Sequence, residues 1–266
     1  EKPFAKAAVE GIRKIVEKEN YELALLEKES DVQKLYEAVT DVDALIVRSD
    51  KVTKEVIDHA KKLKIVVRAG AGFDNLDLDA CTARGIVAMN TPGQNSNAVA
   101  ELALGMMVYM ARNQFVPSTG SELKGKTLGI QAYGNIGRLV AQLAKGFGMQ
   151  VLAFDPFVPA ENMKAEGVTP VASLEELYST SNYVSLHIPA NEQTKKSINY
   201  KLLSLMPKSA CLVNTARKEV IDEDDLAKIL EERQDFKYIT DIAPASLAVL
   251  QEKFGNRIFA TPKKMG

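Results

Sequence analysis

"TLGIQAYGNIGRLVAQLAKGFGMQVLAFDPF" (residues 127–157) is the stretch that decides the fold. It opens on a short apolar run and breaks at glycines. Apolar residues then recur at helical spacing, and a second apolar run ends on an acid. Strand, turn, helix and strand in that order are the layout of a dinucleotide-binding βαβ unit. Gly134 lets a backbone approach a pyrophosphate, and Gly137 lets the helix pack close to its sheet. The turn from Tyr133 onward leads into a helix start whose amides, near Asn135 and Ile136, point at phosphates. Asp155 follows Gly137 by 18 residues, the position of an acid that takes both ribose hydroxyls of NAD and repels the extra phosphate of NADP. Ala132 stands where the first glycine of G-x-G-x-x-G belongs, and alanine accepts a tight turn less readily. An ordinary βαβ turn with no nucleotide is the plain alternative.

Working outward, short β-branched runs alternate with amphipathic segments. The runs are 44–49, 64–70, 85–90, 127–133, 150–155, 183–189, 210–216 and 238–242, with a last short strand at 258–260. They are apolar on both faces, as in a buried parallel sheet. Segments such as "KEVIDHAKKL" (54–63) and "DEDDLAKILEER" (222–233) are helical in spacing. The class is therefore α/β with parallel sheets. The stretch "NTPGQNSN" (90–97) marks an internal boundary, dividing the chain into domains of 1–93 and 94–266. The apolar helix after it, "AVAELALGMMVYMARN" (98–113), reads as buried between domains or at a subunit interface. The chain opens directly in a helix and stops just after a strand, so further residues are expected at both ends.

Composition excludes several function classes. With 266 residues, 46% hydrophobic and 26% charged, the chain resembles an ordinary globular protein. A formal net charge of −1 supplies no field for nucleic acid or an anionic membrane. No run is long and apolar enough for a membrane span. Two histidines, His59 and His187, do not make a histidine-rich metal site. Cys81 and Cys211 sit in apolar runs and read as buried free thiols, which suits a reducing, cytoplasmic compartment. Tryptophan is absent and aromatics are scattered, against a base-stacking surface.

Four stretches together resemble the D-2-hydroxyacid dehydrogenases: "RAGAGFDNLDLDACTARGIVAMNTPGQNSNAVAELALGMM" (68–107), "LGIQAYGNIGRLVAQLAKGFGMQVLAFDP" (128–156), "SLHIP" (185–189) and "LVNTARKEVIDEDDL" (212–226). Within that family the chain is most similar to a subgroup of short, lysine-type D-3-phosphoglycerate dehydrogenases. The resemblance implies two doubly wound parallel-sheet domains, a flavodoxin-like substrate domain and a Rossmann NAD-binding domain, with a cleft between. It also implies a homodimer formed through the Rossmann domain and the helix at 98–113. Arg217 matches the arginine that holds the substrate carboxylate, a task suited to a planar guanidinium; a surface salt bridge is its plain alternative. Ala71 and Gly72 match the amides that cradle the carboxylate's other side. Asp241 matches the acid that meets the nicotinamide carboxamide, and Thr215 and Ala216 line the nicotinamide. His187, Ile188 and Pro189 lie beside the cofactor, although a single histidine serves a structural role equally well.

Two departures matter. Relatives carry a glutamate at the position of Ser246 and a histidine at that of Lys263, as a proton-transfer pair. Lys263 in "TPKK" is therefore the expected general acid and base, rather than part of a solvated tail. Lysine starts near pKa 10.4 and histidine near 6.5. Dropping the glutamate while placing Arg217, and Lys264, nearby would lower the lysine toward working pH. A lysine that stays charged would stabilise a developing alkoxide instead. The implied reaction is NAD-dependent oxidation of D-3-phosphoglycerate to 3-phosphohydroxypyruvate, the entry to serine synthesis. Arg48, in a loop with Lys51 and Lys54, is the expected phosphate contact, with Arg68 as a further candidate. Glyoxylate or hydroxypyruvate reduction is one alternative, and a degenerate NAD(H)-sensing module another.

Overall fold

The structure, a computed structural model, describes residues 3–27 and 31–261. The lysines at 263 and 264 lie outside the described residues. The chain divides into two compact units, one through Asn95 and one from Ser96.

In the first unit, helices α1 (Lys6–Lys18) and α2 (Val32–Val39) precede a β1 (Ala44–Val47), α3 (Lys54–His59), β2 (Ile65–Arg68), α4 (Leu78–Ala83), β3 (Val87–Met89) series. Its three strands are parallel, in the order β1-β2-β3, with no reversal of winding among the described residues. Val47 and Val66 turn to one face and meet Val56, Ile57, Leu76 and Cys81 in the core. Both crossover helices thus lie on that face.

The second unit begins with α5 (Ser96–Ala111) and continues β4 (Thr127–Gln131), α6 (Asn135–Gly146), β5 (Gln150–Phe154), α7 (Ala160–Ala165), β6 (Thr169–Pro170), α8 (Leu174–Thr180) and β7 (Tyr183–Leu186). It closes with α9 (Tyr200–Leu203), β8 (Cys211–Asn214), α10 (Glu223–Glu232), β9 (Lys237–Thr240), α11 (Leu247–Phe254) and β10 (Ile258–Ala260). All seven strands are parallel, ordered β10-β9-β8-β7-β4-β5-β6. The order reverses between β4 and β7, as in a doubly wound dinucleotide-binding sheet. Alternation along the strands feeds two cores. Leu128, Ile130, Cys211, Val213 and Ile239 pack beneath α5 and α6. Val184, Leu186, Leu212 and Tyr238 pack beneath α8 to α11. A sheet apolar on both faces requires this double cover.

The apolar helix α5 buries Ala103, Leu104, Met107 and Met110 within the second unit, against α6 and strands β8 and β9. One face of the helix is thereby covered inside the unit, while Glu101 and Leu102 on its other side are exposed. The strand β6 has no counterpart in the sequence reading; its Pro170 is tolerated because β6 is an edge strand. Cys81 and Cys211 are free and buried, as expected.

The turn after β4 stores strain. Ala132 has φ +75°, a left-handed conformation costly for a residue with a Cβ. A Cβ on Gly137 would run into the Ala132 carbonyl oxygen, so α6 starts this close to the turn only because residue 137 is glycine. Gly137→Ala is expected to destabilise the fold by about 1–3 kcal/mol through overpacking. Ala132→Gly is expected to stabilise it by about 0.5–1 kcal/mol, the relieved strain exceeding glycine's extra unfolded-state entropy. Urea unfolding of both variants beside the wild type checks the two signs.

Candidate active site

The register of the parallel strands lines up their carboxyl ends. Phe154, Gln131, Leu186, Asn214, Thr240 and Ala260 are paired neighbour to neighbour across the sheet. The next residue of each strand continues the row: Asp155, Ala132, His187, Thr215, Asp241 and Thr261. Backbone bonds extend the ladder by that residue, from Ala132 N to Phe154 O (2.9 Å), His187 N to Gln131 O (3.0 Å) and Thr261 N to Thr240 O (2.9 Å). Ligands of open α/β sheets bind at this edge, at the switch point.

At the switch point, Asp155 shapes the phosphate turn. Its Oδ2 accepts from Tyr133 N at 2.8 Å and its Oδ1 from Phe157 N at 2.8 Å. Each oxygen retains a second lone pair for a ribose hydroxyl. Gly134 caps α6, and a Cβ there would meet nothing within 4 Å, so the turn is open on that side. The first-turn amides, at Asn135, Ile136 and Gly137, have no carbonyl partner within the helix and carry its positive end. Tyr133 contributes its backbone only. Its ring is buried, its hydroxyl donates to Glu166 Oε2 at 2.9 Å, and the Arg138 guanidinium lies 5.0 Å from the ring centre and pairs with Glu166.

At the end of β7, His187 Nε2 and Ser185 Oγ share a hydrogen bond of 3.0 Å. His187 Nδ1 is shut off from solvent with no partner among the described residues. Burial pushes the imidazole down to about 4, so it is neutral at physiological pH. Ile188 packs on the core and Pro189 is exposed.

Asn214 organises the end of β8. This fully buried side chain accepts from Ala216 N (3.0 Å) and donates to Arg217 O (3.0 Å), which fixes the turn that carries Thr215, Ala216 and Arg217. It also donates to the Tyr238 hydroxyl at 3.3 Å. Thr215 Oγ1 is buried without a partner among the described residues. Arg217 is half-buried, and its Nη1 donates to Ala216 O at 2.8 Å. Thr240 Oγ1 donates to Asn214 O (2.8 Å) and accepts from Ile242 N (3.0 Å), setting the chain direction through Asp241.

The sequence reading missed a carboxylate. Ser246 was expected to leave its position without one. Instead, Ser246 Oγ donates to Glu223 Oε2 at 2.6 Å, and Ser246 N and Ala245 N donate to the same carboxylate at 3.2 and 3.0 Å. Glu223 opens α10, whose cap is Asp222, with Oδ1 accepting from Asp224 N and Asp225 N. Burial raises the Glu223 pKa, but the bonds from Ser246 and Ala245 outweigh it and hold the group below its ordinary value. No local signal reveals the pair, since its members are 23 residues apart. Asn214 had a signal: a polar residue closing an apolar strand.

The remaining candidates belong to the first unit. Ala71 O accepts from Asn90 Nδ2 (2.7 Å) and Gly70 O from Thr91 N (2.9 Å), which pins the loop that carries Ala71 and Gly72. The Arg68 guanidinium occupies the space a Cβ on Gly70 would need. Arg48 donates to Pro3 O at 2.8 Å and sits 6.0 Å from the Phe4 ring centre. Lys54 is paired with Asp58 at 2.6 Å. Among the described residues, no group of acids, histidines and cysteines is arranged to hold a metal, and no helix is long and apolar enough to cross a membrane.

The second unit fits a dinucleotide. It offers an open glycine turn on a helix start, an acid at the end of the next strand that braces this turn, and two buried polar atoms, His187 Nδ1 and Thr215 Oγ1, in the same row. Comparison with known proteins agrees. The family model for the D-isomer specific 2-hydroxyacid dehydrogenase, NAD binding domain, matches residues 97–256. A D-3-phosphoglycerate dehydrogenase of Methanocaldococcus jannaschii is 38% identical over 83% of this chain, which spans only 44% of that relative's length. A hydroxypyruvate reductase of Thermotoga maritima is also 38% identical, over 82% of this chain and 74% of the relative. A crystal structure of NAD+-bound 3-phosphoglycerate dehydrogenase from Entamoeba histolytica superposes with a TM-score of 0.92 at 46% identity, over 99% of this chain and 85% of that one. The chain belongs to the D-2-hydroxyacid dehydrogenase family, and its second unit is that family's NAD-binding domain.

Proposed function

We propose that the protein oxidises D-3-phosphoglycerate to 3-phosphohydroxypyruvate with NAD, and catalyses the reverse reduction, as the entry step to serine. The observation that carries this reading is the carboxyl-edge row, with Asp155 on the β5 side and the Arg217 turn on the β8 side. It is supported by 46% identity to the NAD+-bound 3-phosphoglycerate dehydrogenase of Entamoeba histolytica. The hydroxypyruvate reductase relative favours a second reading, in which the substrate is an unphosphorylated 2-keto acid such as hydroxypyruvate or glyoxylate.

NAD, when bound, accepts a hydride from the carbon that bears the hydroxyl, or returns one as NADH. The protein's own groups do the rest. Arg217 holds the substrate carboxylate in a two-point hydrogen bond. The unit through Asn95 is the substrate-binding domain in this reading, and the amides of Ala71 and Gly72 are its carboxylate contacts. Arg48 takes the phosphate. Asp241 meets the nicotinamide carboxamide, Thr215 and Ala216 line its ring, and His187 stays neutral beside it. Lys263 Nζ takes the hydroxyl proton on oxidation and returns it on reduction. In the chain it follows Thr261, whose amide is bonded to Thr240. The working form in this reading is a cytoplasmic homodimer.

Three outcomes test the reading. NADH oxidation with 3-phosphohydroxypyruvate is expected to exceed that with hydroxypyruvate or glyoxylate in kcat/KM by at least tenfold; equal rates would move the assignment to the second reading. Lys263→Met should lower kcat by about 10²–10⁴-fold, the usual worth of a general acid or base, while NADH fluorescence titration still reports tight binding. Undiminished turnover would remove the lysine from the chemistry. Asp155→Ser is expected to narrow the preference for NADH over NADPH, measured as the ratio of their kcat/KM values, and an unaltered ratio would refute the ribose assignment.

A further inference from the structure

We propose that Glu223 is a positioning residue of the active site, tying the segment that carries Arg217 to the segment that carries Asp241. The inference rests on the roles given to those two residues above.

Both segments leave the carboxyl edge of the sheet from neighbouring strands, β8 and β9. The last ladder bond between them runs from Asp241 N to Asn214 O at 3.4 Å, and Arg217 and the chain after Asp241 lie past it. Arg217 is followed by one short turn, the Asp222 cap and then Glu223, the first residue of α10. Asp241 is followed by Ile242, an exposed Ala243, a buried Pro244 and then Ala245 and Ser246, the last of these opening α11. The Glu223 carboxylate accepts two amides and one hydroxyl from Ala245 and Ser246. Three donors converging on one part-buried carboxylate fix both its position and its charge.

The surroundings are consistent with a role beyond packing. Lys218, in the turn between Arg217 and α10, is the cation that acts on Glu223. Tyr238 of β9 is buried, and burial is the main cause that raises its phenol pKa, with the negative charges of Glu223 and Asp241 adding to it. That hydroxyl accepts from Asn214, which holds the Arg217 carbonyl. From α11 the groups that reach Glu223 are the neutral Ser246 and the main chain. Two polar ties therefore run between the β8 side and the β9 side: Glu223 to Ala245 and Ser246, and Asn214 to Tyr238.

The test uses the full chain and steady-state kinetics with NADH and 3-phosphohydroxypyruvate, hydroxypyruvate or glyoxylate, whichever the wild type reduces. Glu223→Gln keeps the shape but loses the charge and one acceptor. It is expected to raise KM for the keto acid about tenfold or more, the scale of one hydrogen bond to a charged group, with kcat reduced less. Glu223→Asp should recover part of that loss. Ser246→Ala removes a single bond and should raise the same KM by a smaller factor, which serves where Glu223→Gln folds poorly. Circular-dichroism melting separates the readings: a residue that only packs α10 on α11 would lower the melting temperature and leave KM unmoved. Unmoved KM in both Glu223→Gln and Ser246→Ala overturns the inference while leaving the proposed reaction intact. A folded wild type that reduces none of the three keto acids overturns the proposed reaction and this inference with it.

Discussion

The in-register ending of the parallel strands is the constraint on which the site depends. Parallel ladders have evenly spaced bonds, so a strand's register is set along its whole length at once. Here it is also set by burial, since Leu186, Leu212 and Tyr238 face one core and Tyr183, Cys211 and Val213 the other. A one-residue slip of β8 would exchange those faces and bury the wrong side chains. The same slip would carry Thr215 out of the row and displace the turn that bears Arg217. Chemistry at the edge is thus anchored by hydrocarbon several residues below it.

Past the last ladder bond, side chains take over from the backbone. Asp155 takes up the Tyr133 amide, Asn214 the Ala216 amide and Arg217 carbonyl, Thr240 the Ile242 amide, and Glu223 those of Ala245 and Ser246. Buried backbone groups need such partners, because leaving one unsatisfied costs about 1–3 kcal/mol. Every one of these capping groups lies within a few residues of a proposed ligand contact. The strained Ala132 belongs to the same pattern, an unfavourable conformation kept where the backbone must turn sharply at the switch point.

Much of this was legible in the sequence. The strand runs, the helix after Gly134 and the acid at Asp155 are local signals, each readable in a window of a few residues, and Ala132 stood out as off pattern. The strand β6 was not legible, because its proline is tolerated only by an edge strand, and edges are known only once the sheet is assembled. The partner of α5 was hidden for a related reason: an apolar helix shows that it is buried but not against what. The inward turn of the Tyr133 ring was equally hidden, since it depends on Glu166, 33 residues away. Hydrophobic periodicity assigns faces and leaves long-range polar pairs unspecified.

The Glu223–Ser246 pair carries that lesson into the chemistry. Read locally, a serine in place of a glutamate means a lost negative charge, and from that follows a lysine free to fall toward neutral pH. In the folded chain a carboxylate is present, delivered from α10 and held ionised by the bonds from Ser246 and Ala245. The negative charge at this position comes from another helix, and only the assembled sheet, which sets the ends of β8 and β9 side by side, brings the carboxylate to Ala245 and Ser246.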